Sequence, residues 1–293
     1  MASGILIIDK PEGWTSMDVC AKLRGVFHEK RIGHAGTLDP MATGVLPVFV
    51  GRATRAVEFA AQSDKEYIAG IKLGIITNTQ DATGEVLEER PVHADCADLR
   101  RALDAFTGEI EQLPPMYSAI KIHGKKLYEL ARKGQEVERR PRRVTIHTLE
   151  LLECRPPAEG GCLLRTVCSK GTYVRTLCHD IGQALGCGAC MSSLRRTRAA
   201  GFGLEEALTL EQAVSAQNPE ALLLPVDQFF ARSGFPAAVT APPPAEKRLR
   251  NGGQAALSGP DGAYRVYSQS GEFLGIGRRQ NSRMGLIKSF FEV

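Results

Sequence analysis

No apolar run among the 293 residues approaches the ~20 needed to cross a membrane. No membrane partner is therefore expected. The first apolar stretch meets Asp9 and Lys10 at once, which is not the pattern of a secretory signal. Neither sign of charge dominates: 37 Lys and Arg stand against 33 Asp and Glu, for a net charge of +4. That mild excess permits a polyanionic partner without demanding one. Charged residues at 24% and hydrophobic ones at 43% exclude a disordered chain and leave material for a sizeable core. The phosphate-loop spacings GKS and GxGxxG are missing, and so is any internal repeat. A second CxxC to complement Cys187-Gly-Ala-Cys190 is also missing. Structural zinc usually takes four ligands, so no metal is expected. The eight cysteines are irregularly spaced, several within apolar patterns. They are expected to be reduced, in a cytoplasmic protein.

What is present has the texture of an α+β fold. Gly4 to Ile8 is a short apolar run, predicted to be a buried strand. Thr15 with Asp18 resembles a capping box, and Val19, Leu23, Val26 and Phe27 follow at helical spacing, so Ser16 to His28 is predicted helical. Arg31 to Gly44 is rich in Gly, Thr, Asp and Pro and reads as a loop. Glu66 to Gly74 alternates, with Tyr67, Ala69, Ile71 and Leu73 on one strand face. Asp95 to Phe106 and Thr172 to Leu185 read as amphipathic helices, the latter ended by Gly186. Val144 to Glu153 and Cys162 to Ser169 read as strands. No strict βαβ rhythm appears, which favours antiparallel pairing.

Charge is unevenly placed. Between Lys121 and Arg143 lie nine Lys or Arg against three Glu, with a helical piece at Lys126 to Arg132. Arg195, Arg196 and Arg198 form a second cluster. Pro236 to Pro244 carries four prolines and reads as a semi-rigid linker. Short apolar runs separated by Gly-containing turns follow it. The expected organisation is a main domain over 1–234 with a basic insertion at 121–143, a linker at 235–247, and a small β domain at 248–293.

Asp39 precedes a proline in a loop, where a carboxylate is ordinarily a turn residue or a cap. Gly33, Gly36 and Gly44 allow the backbone to approach a ligand closely, but this is a weak signal by itself. The wider sequence carries more. Lys10-Pro11, Gly13 to Ser16, Gly33 to Pro47, Asp64 to Tyr67, Pro114 to Lys121, Cys168 to Leu177 and Leu194 to Arg198 resemble, in the same order, the motifs of the TruB family of pseudouridine synthases. The segment after the linker is similar to a PUA-type RNA-binding domain.

The resemblance implies a catalytic domain built on an extended mixed, mostly antiparallel sheet flanked by helices. It implies an isomerase that acts on the T-loop uridine of tRNA at position 55, as a stand-alone monomer without guide RNA. Nothing is oxidised and no group is imported, so no cofactor is expected. Asp39 would be the nucleophile, attacking C1′ or C6 of the uridine or removing the C2′ proton; these three stay open. Arg175 would hold Asp39 ionised. Tyr67, otherwise an ordinary strand aromatic, would stack on the flipped uracil and relay the C5 proton. Tyr173 and Leu194 would wall the site. His34 would fill the space left by the extruded base. Lys10 and Pro11 would pack beneath the site, and Asp81 and Asp180 read as caps or surface groups. Lys121, Lys125, Lys126, Arg139 and Arg140 would contact RNA phosphates on a mobile segment.

Overall fold

The computed structural model describes residues 2–122, 124–155, 161–235 and 237–292. His123 of the basic stretch and Pro236 of the expected linker lie outside the described residues.

Ten strands form the main sheet: β1 (Gly4–Lys10), β2 (Ile32–His34), β3 (Thr43–Val50), β4 (Lys65–Leu73), β5 (Gly108–Gln112), β6 (Arg142–Glu153), β7 (Cys162–Cys168), β8 (Ala189–Ala199), β9 (Phe202–Gly203) and β10 (Leu208–Thr209). Their order is β10-β1-β3-β8-β4-β7-β6-β5, with β2 paired to β3 and β9 to β8. Among the described residues, only the β1–β10 and β3–β8 pairs of this sheet are parallel. The sheet is therefore mixed and mostly antiparallel, as expected of an α+β protein. The stretch expected to be a loop, Arg31 to Gly44, is not loop throughout. Ile32 to His34 belong to β2, a strand too short to show a period, and Thr43 and Gly44 already belong to β3.

Both faces of the sheet are covered. In β1, Ile5 and Ile7 enter one core cluster while Leu6 and Ile8 enter another, because alternate side chains leave a strand on opposite sides. Helix α1 (Ser16–Phe27) covers the second face with Val19, Leu23 and Phe27. Its start is set by a capping box between Thr15 and Asp18, an arrangement worth about 1 kcal/mol. Tyr67, Ala69, Ile71 and Leu73 of β4 share one cluster with Leu99 and Leu103 of α2 (Cys96–Ala105). The same cluster takes Val174, Leu177 and Ile181 from a longer helix. That helix starts at Val174, two residues later than the pattern suggests, because Tyr173 is extended. It ends before Gly186, whose φ of 77° suits a residue without Cβ.

One expectation is corrected. The cysteines are not all reduced: Cys96 and Cys154 form a disulfide across a sequence separation of 58. Helix α2 lies against β6 so that the two Cα atoms are 6.0 Å apart, a proximity that spacing could not reveal. The stretch expected to be a semi-rigid linker, 235–247, also contains regular structure. Ala238–Thr240 (β11) pairs in parallel with Gly262–Tyr267, and Pro243–Arg250 is a helix. Proline suits a first helical turn, where its missing N–H would have no partner anyway.

Strands β12 (Ala255–Ala256), β13 (Gly262–Tyr267), β14 (Phe273–Gln280) and β15 (Arg283–Ser289) complete a five-stranded sheet in the order β11-β13-β14-β15-β12. Phe230 joins this sheet to the main one, with ring centroids 5.4 Å from Phe59, 5.5 Å from Phe235 and 5.4 Å from Phe290. Among the described residues no helix is long and apolar enough to cross a membrane.

Candidate active site

The loop between β2 and β3 carries Asp39. Its carbonyl accepts from the Ala42 N–H at 3.0 Å, closing a turn with Pro40 at its second position, where the fixed φ of proline is suited. Buried Ser16 takes the Leu38 N–H at 2.9 Å. The Gly13 N–H reaches the Pro40 carbonyl at 2.8 Å. From below, Lys10 donates to the carbonyls of Trp14, Pro11 and Pro40 at 2.6, 2.8 and 3.2 Å. Lys10 has no exposed surface, and burial lowers its pKa to about 8. The turn is thus fixed on three sides before the carboxylate meets any partner.

That partner is Arg175, the second residue of α3 (Val174–Ala184). Its Nε lies 3.0 Å from Oδ2 of Asp39 and its Nη2 3.3 Å from Oδ1. The Arg175 side chain is 7% exposed, whereas the Asp39 side chain keeps 34%. The aspartate is therefore open on the side away from the arginine. Burial raises the Asp39 pKa, Arg175 opposes the rise, and Asp81 adds to it.

Of the two readings of Asp81, a cap or a surface group, the first holds: its Oδ1 accepts the Thr83 N–H at 3.0 Å. It is 4% exposed, not a surface group, and lies 3.6 Å from Nη1 of Arg175. It also accepts from the hydroxyls of Thr79 and Thr83 at 2.8 and 2.6 Å. The carbonyls of Thr79 and Tyr117 take further Arg175 protons at 3.2 and 2.8 Å. Arg175 is thereby held in one pose by two carboxylates and two carbonyls. Asp180, also expected at the surface, is half-buried, and burial pushes its pKa up to about 6.

Tyr67 and Leu194, each 8% exposed, pack in one cluster with Leu38 and Val174, the neighbours of Asp39 and Arg175. Burial raises the Tyr67 pKa, so its hydroxyl stays protonated. Tyr173 is half-buried at the start of α3. His34, on β2, has its pKa lowered by burial and then by Arg196, which keeps the imidazole neutral.

Arg196 is a residue that the sequence reading left inside a basic cluster. It is 1% exposed and sits opposite Tyr67 on β4 and Gly44 on β3. Its Nε donates to the Val45 carbonyl at 2.7 Å and its Nη2 to the Gly36 carbonyl at 3.1 Å. It thus braces both ends of the Asp39 loop. A Cβ on Gly44 would come within 2.1 Å of the Arg196 carbonyl, which explains a glycine with φ of 102° there. The alternation Leu194, Arg196 within a strand was the available signal that Arg196 points inward.

The basic residues divide. Lys121, Lys125 and Arg140 are exposed. Lys126 is half-buried beside Tyr128, its Nζ 3.2 Å from the hydroxyl. Arg139 is engaged: it donates to the Pro114 carbonyl at 3.0 Å and pairs with Glu136 at 2.9 Å.

Residues 24–174 match the TruB family pseudouridylate synthase N-terminal domain, and residues 175–231 match the tRNA pseudouridylate synthase B C-terminal domain. The chain belongs to the TruB family. A protein of Clostridium kluyveri named tRNA pseudouridine synthase B is 41% identical over 98% of this chain and 99% of its own. A Thiobacillus denitrificans protein of the same name is 44% identical over 96% and 93%. Among solved structures, a Cbf5–Nop10–Gar1 complex contains a chain that superimposes with a TM-score of 0.73 at 26% identity, covering 98% of this chain and 85% of that one. As a TruB-family protein the chain is a pseudouridine synthase, an isomerase. The boundary between the two family domains, at residues 174 and 175, falls at the start of the helix that carries Arg175.

Proposed function

We propose that this TruB-family enzyme isomerises the T-loop uridine of tRNA, position 55, with Asp39 as nucleophile. The observation that carries the reading is the Asp39–Arg175 pair: a carboxylate one-third open, clamped side-on by a buried guanidinium at 3.0 and 3.3 Å. A carboxylate aimed in this way is a competent nucleophile toward a sugar–base junction. It adds to C1′ or C6, or removes the C2′ proton. In each case the N1–C1′ bond breaks, the uracil turns, C5 bonds to C1′, and the C5 proton leaves. The isomerisation balances without any external reactant. Protonated Tyr67, buried beside Leu38 and Leu194, stacks on the uracil, and its hydroxyl relays the C5 proton. Tyr173 and Leu194 wall the site.

A uridine inside a folded loop must be extruded to reach Asp39. Neutral His34 takes the place of the extruded base, which lowers a cost of a few kcal/mol. Lys121, Lys125, Lys126 and Arg140 contact the phosphates of the stem-loop. The C-terminal sheet, a PUA-like module, adds further RNA contacts. The reading includes action without guide RNA or partner proteins, and it is supported by relatives named tRNA pseudouridine synthase B.

The test is pseudouridine mapping on an unmodified T-stem-loop RNA with purified protein alone. Product from the wild type and none from Asp39→Asn is the expected result. Product from Asp39→Asn would overturn the role of Asp39, and no product from the wild type would overturn the substrate.

A further inference from the structure

Gln112 is the last residue of β5 and is 1% exposed. Its amide meets the backbone of Tyr173 at both polar atoms. Oε1 accepts the Tyr173 N–H at 3.0 Å, and Nε2 donates to the Tyr173 carbonyl at 3.3 Å. The side chain thus imitates one rung of a β-ladder against the residue that precedes α3. Two hydrogen bonds of opposite sense fix the two peptide units on either side of the Tyr173 Cα, one through its N–H and the next through its carbonyl. Tyr173 has no side-chain cap of its own helix to do this. Arg175 follows two residues later inside the rigid first turn, so its guanidinium inherits whatever pose the peptide takes. Five residues after Gln112, the Tyr117 carbonyl receives Nη2 of the same arginine at 2.8 Å. One short segment therefore holds the start of the helix and the tip of the side chain it carries.

We propose that Gln112 is a positioning residue for the isomerisation, acting through Tyr173 and Arg175 on the aim of Asp39. The proposal rests on the reading of Asp39, Arg175 and Tyr173 as the working site. Gln112 itself reaches no reacting atom. A shift of the helix start by a fraction of an ångström breaks the side-on geometry at 3.0 and 3.3 Å without opening the core beneath it. The loss should therefore fall on turnover and spare RNA affinity, which is carried by basic residues elsewhere.

Three measurements test this. In Gln112→Ala, kcat on the T-stem-loop RNA should fall on the order of tenfold to a hundredfold, with KM close to the wild type and the melting temperature lowered only by the modest amount that the lost buried hydrogen bonds cost. An unchanged kcat overturns the proposal, and so does a fall in kcat accompanied by a raised KM that a lower assay temperature restores, which marks a merely structural role. Gln112→Glu keeps the acceptor and loses the donor until its buried carboxyl is protonated. The ratio of its kcat to the wild-type kcat should therefore rise as pH falls, and a flat ratio counts against the idea. The third readout needs no substrate. The Nε–H resonance of Arg175, assigned through Arg175→Lys in nitrogen-15 arginine-labelled protein, should move in Gln112→Ala. If the wild type makes no pseudouridine, the functional reading fails and this resonance alone judges the positioning; an unmoved signal overturns it.

Discussion

The guanidinium of Arg175 meets the carboxylate of Asp39 side-on, with Nε 3.0 Å from Oδ2 and Nη2 3.3 Å from Oδ1. The two residues lie 136 apart in the chain. The same guanidinium faces Asp81 at 3.6 Å, so one buried cation is shared between an open carboxylate and a closed one. Sharing weakens the hold on Asp39: Asp81 and burial both raise the Asp39 pKa while Arg175 lowers it. The arrangement holds the arginine by several partners and leaves the aspartate one-third exposed.

If Asp39 is the nucleophile, as proposed, activity needs it ionised; its pKa is raised above 3.8, so the acid limb of kcat/KM should lie above that of an ordinary aspartate. Arg175→Gln removes the lowering influence and should move the limb up. Asp81→Asn removes a raising influence and should move it down. A pH–rate profile of the three proteins checks the signs; shifts in the same direction sink the argument. Arg175→Lys keeps a charge but not the two-point geometry, and should lose on the order of a hundredfold in kcat.

Asp39→Asn should trade activity for stability. A group whose folded pKa is raised favours the folded state below its unfolded pKa, and that contribution is lost as pH rises through the folded pKa. At neutral pH the ionised aspartate is therefore a cost, and the amide removes it. The variant should melt above the wild type at neutral pH, with the difference vanishing in acid where Asp39 is protonated. Calorimetry across pH measures this, and a lower melting temperature at neutral pH would contradict the raised pKa. Turnover should fall by at least ~10³-fold while RNA binding survives.

RNA binding should separate by residue. Neutralising Lys121, Lys125, Lys126 and Arg140 together should flatten its salt dependence, by about 0.9 in the log–log slope for each phosphate no longer neutralised. Arg139→Gln should leave the slope as it was, because that guanidinium is spent on Pro114 and Glu136. Fluorescence titrations at several salt concentrations distinguish the two. A slope that drops in Arg139→Gln returns that residue to the RNA.

The Cys96–Cys154 bond closes a separation of 58 residues, and such a closure is worth about 2–4 kcal/mol through the unfolded chain. Cys96→Ser should lower the free energy of unfolding by that amount, as should reductant on the wild type. Denaturant curves with and without reductant test this; superimposable curves for the wild type rule out a stabilising disulfide.

What the sequence by itself determined is local. The alternation of Tyr67, Ala69, Ile71 and Leu73 placed β4 and its buried face, because a strand exposes alternate sides. The Thr15–Asp18 box and the stripe of Val174, Leu177 and Ile181 placed two helices, because capping and a period near 3.6 are written in neighbouring residues. The resemblance of the ordered motifs to the TruB family, rather than any local pattern, pointed to Asp39 and Arg175, which the fold brings within 3.0 Å of each other. Tertiary structure alone decided the rest. Asp81 reads as a cap or surface group until the chain folds and brings Arg175 to it. Arg139 reads as a surface cation until Pro114 arrives. Cys96 and Cys154 read as isolated thiols until α2 lies on β6, and Gln112 as an ordinary polar residue until Tyr173 takes both ends of its amide. Each of these depends on an approach between residues far apart in the chain, and neither periodicity nor composition encodes it.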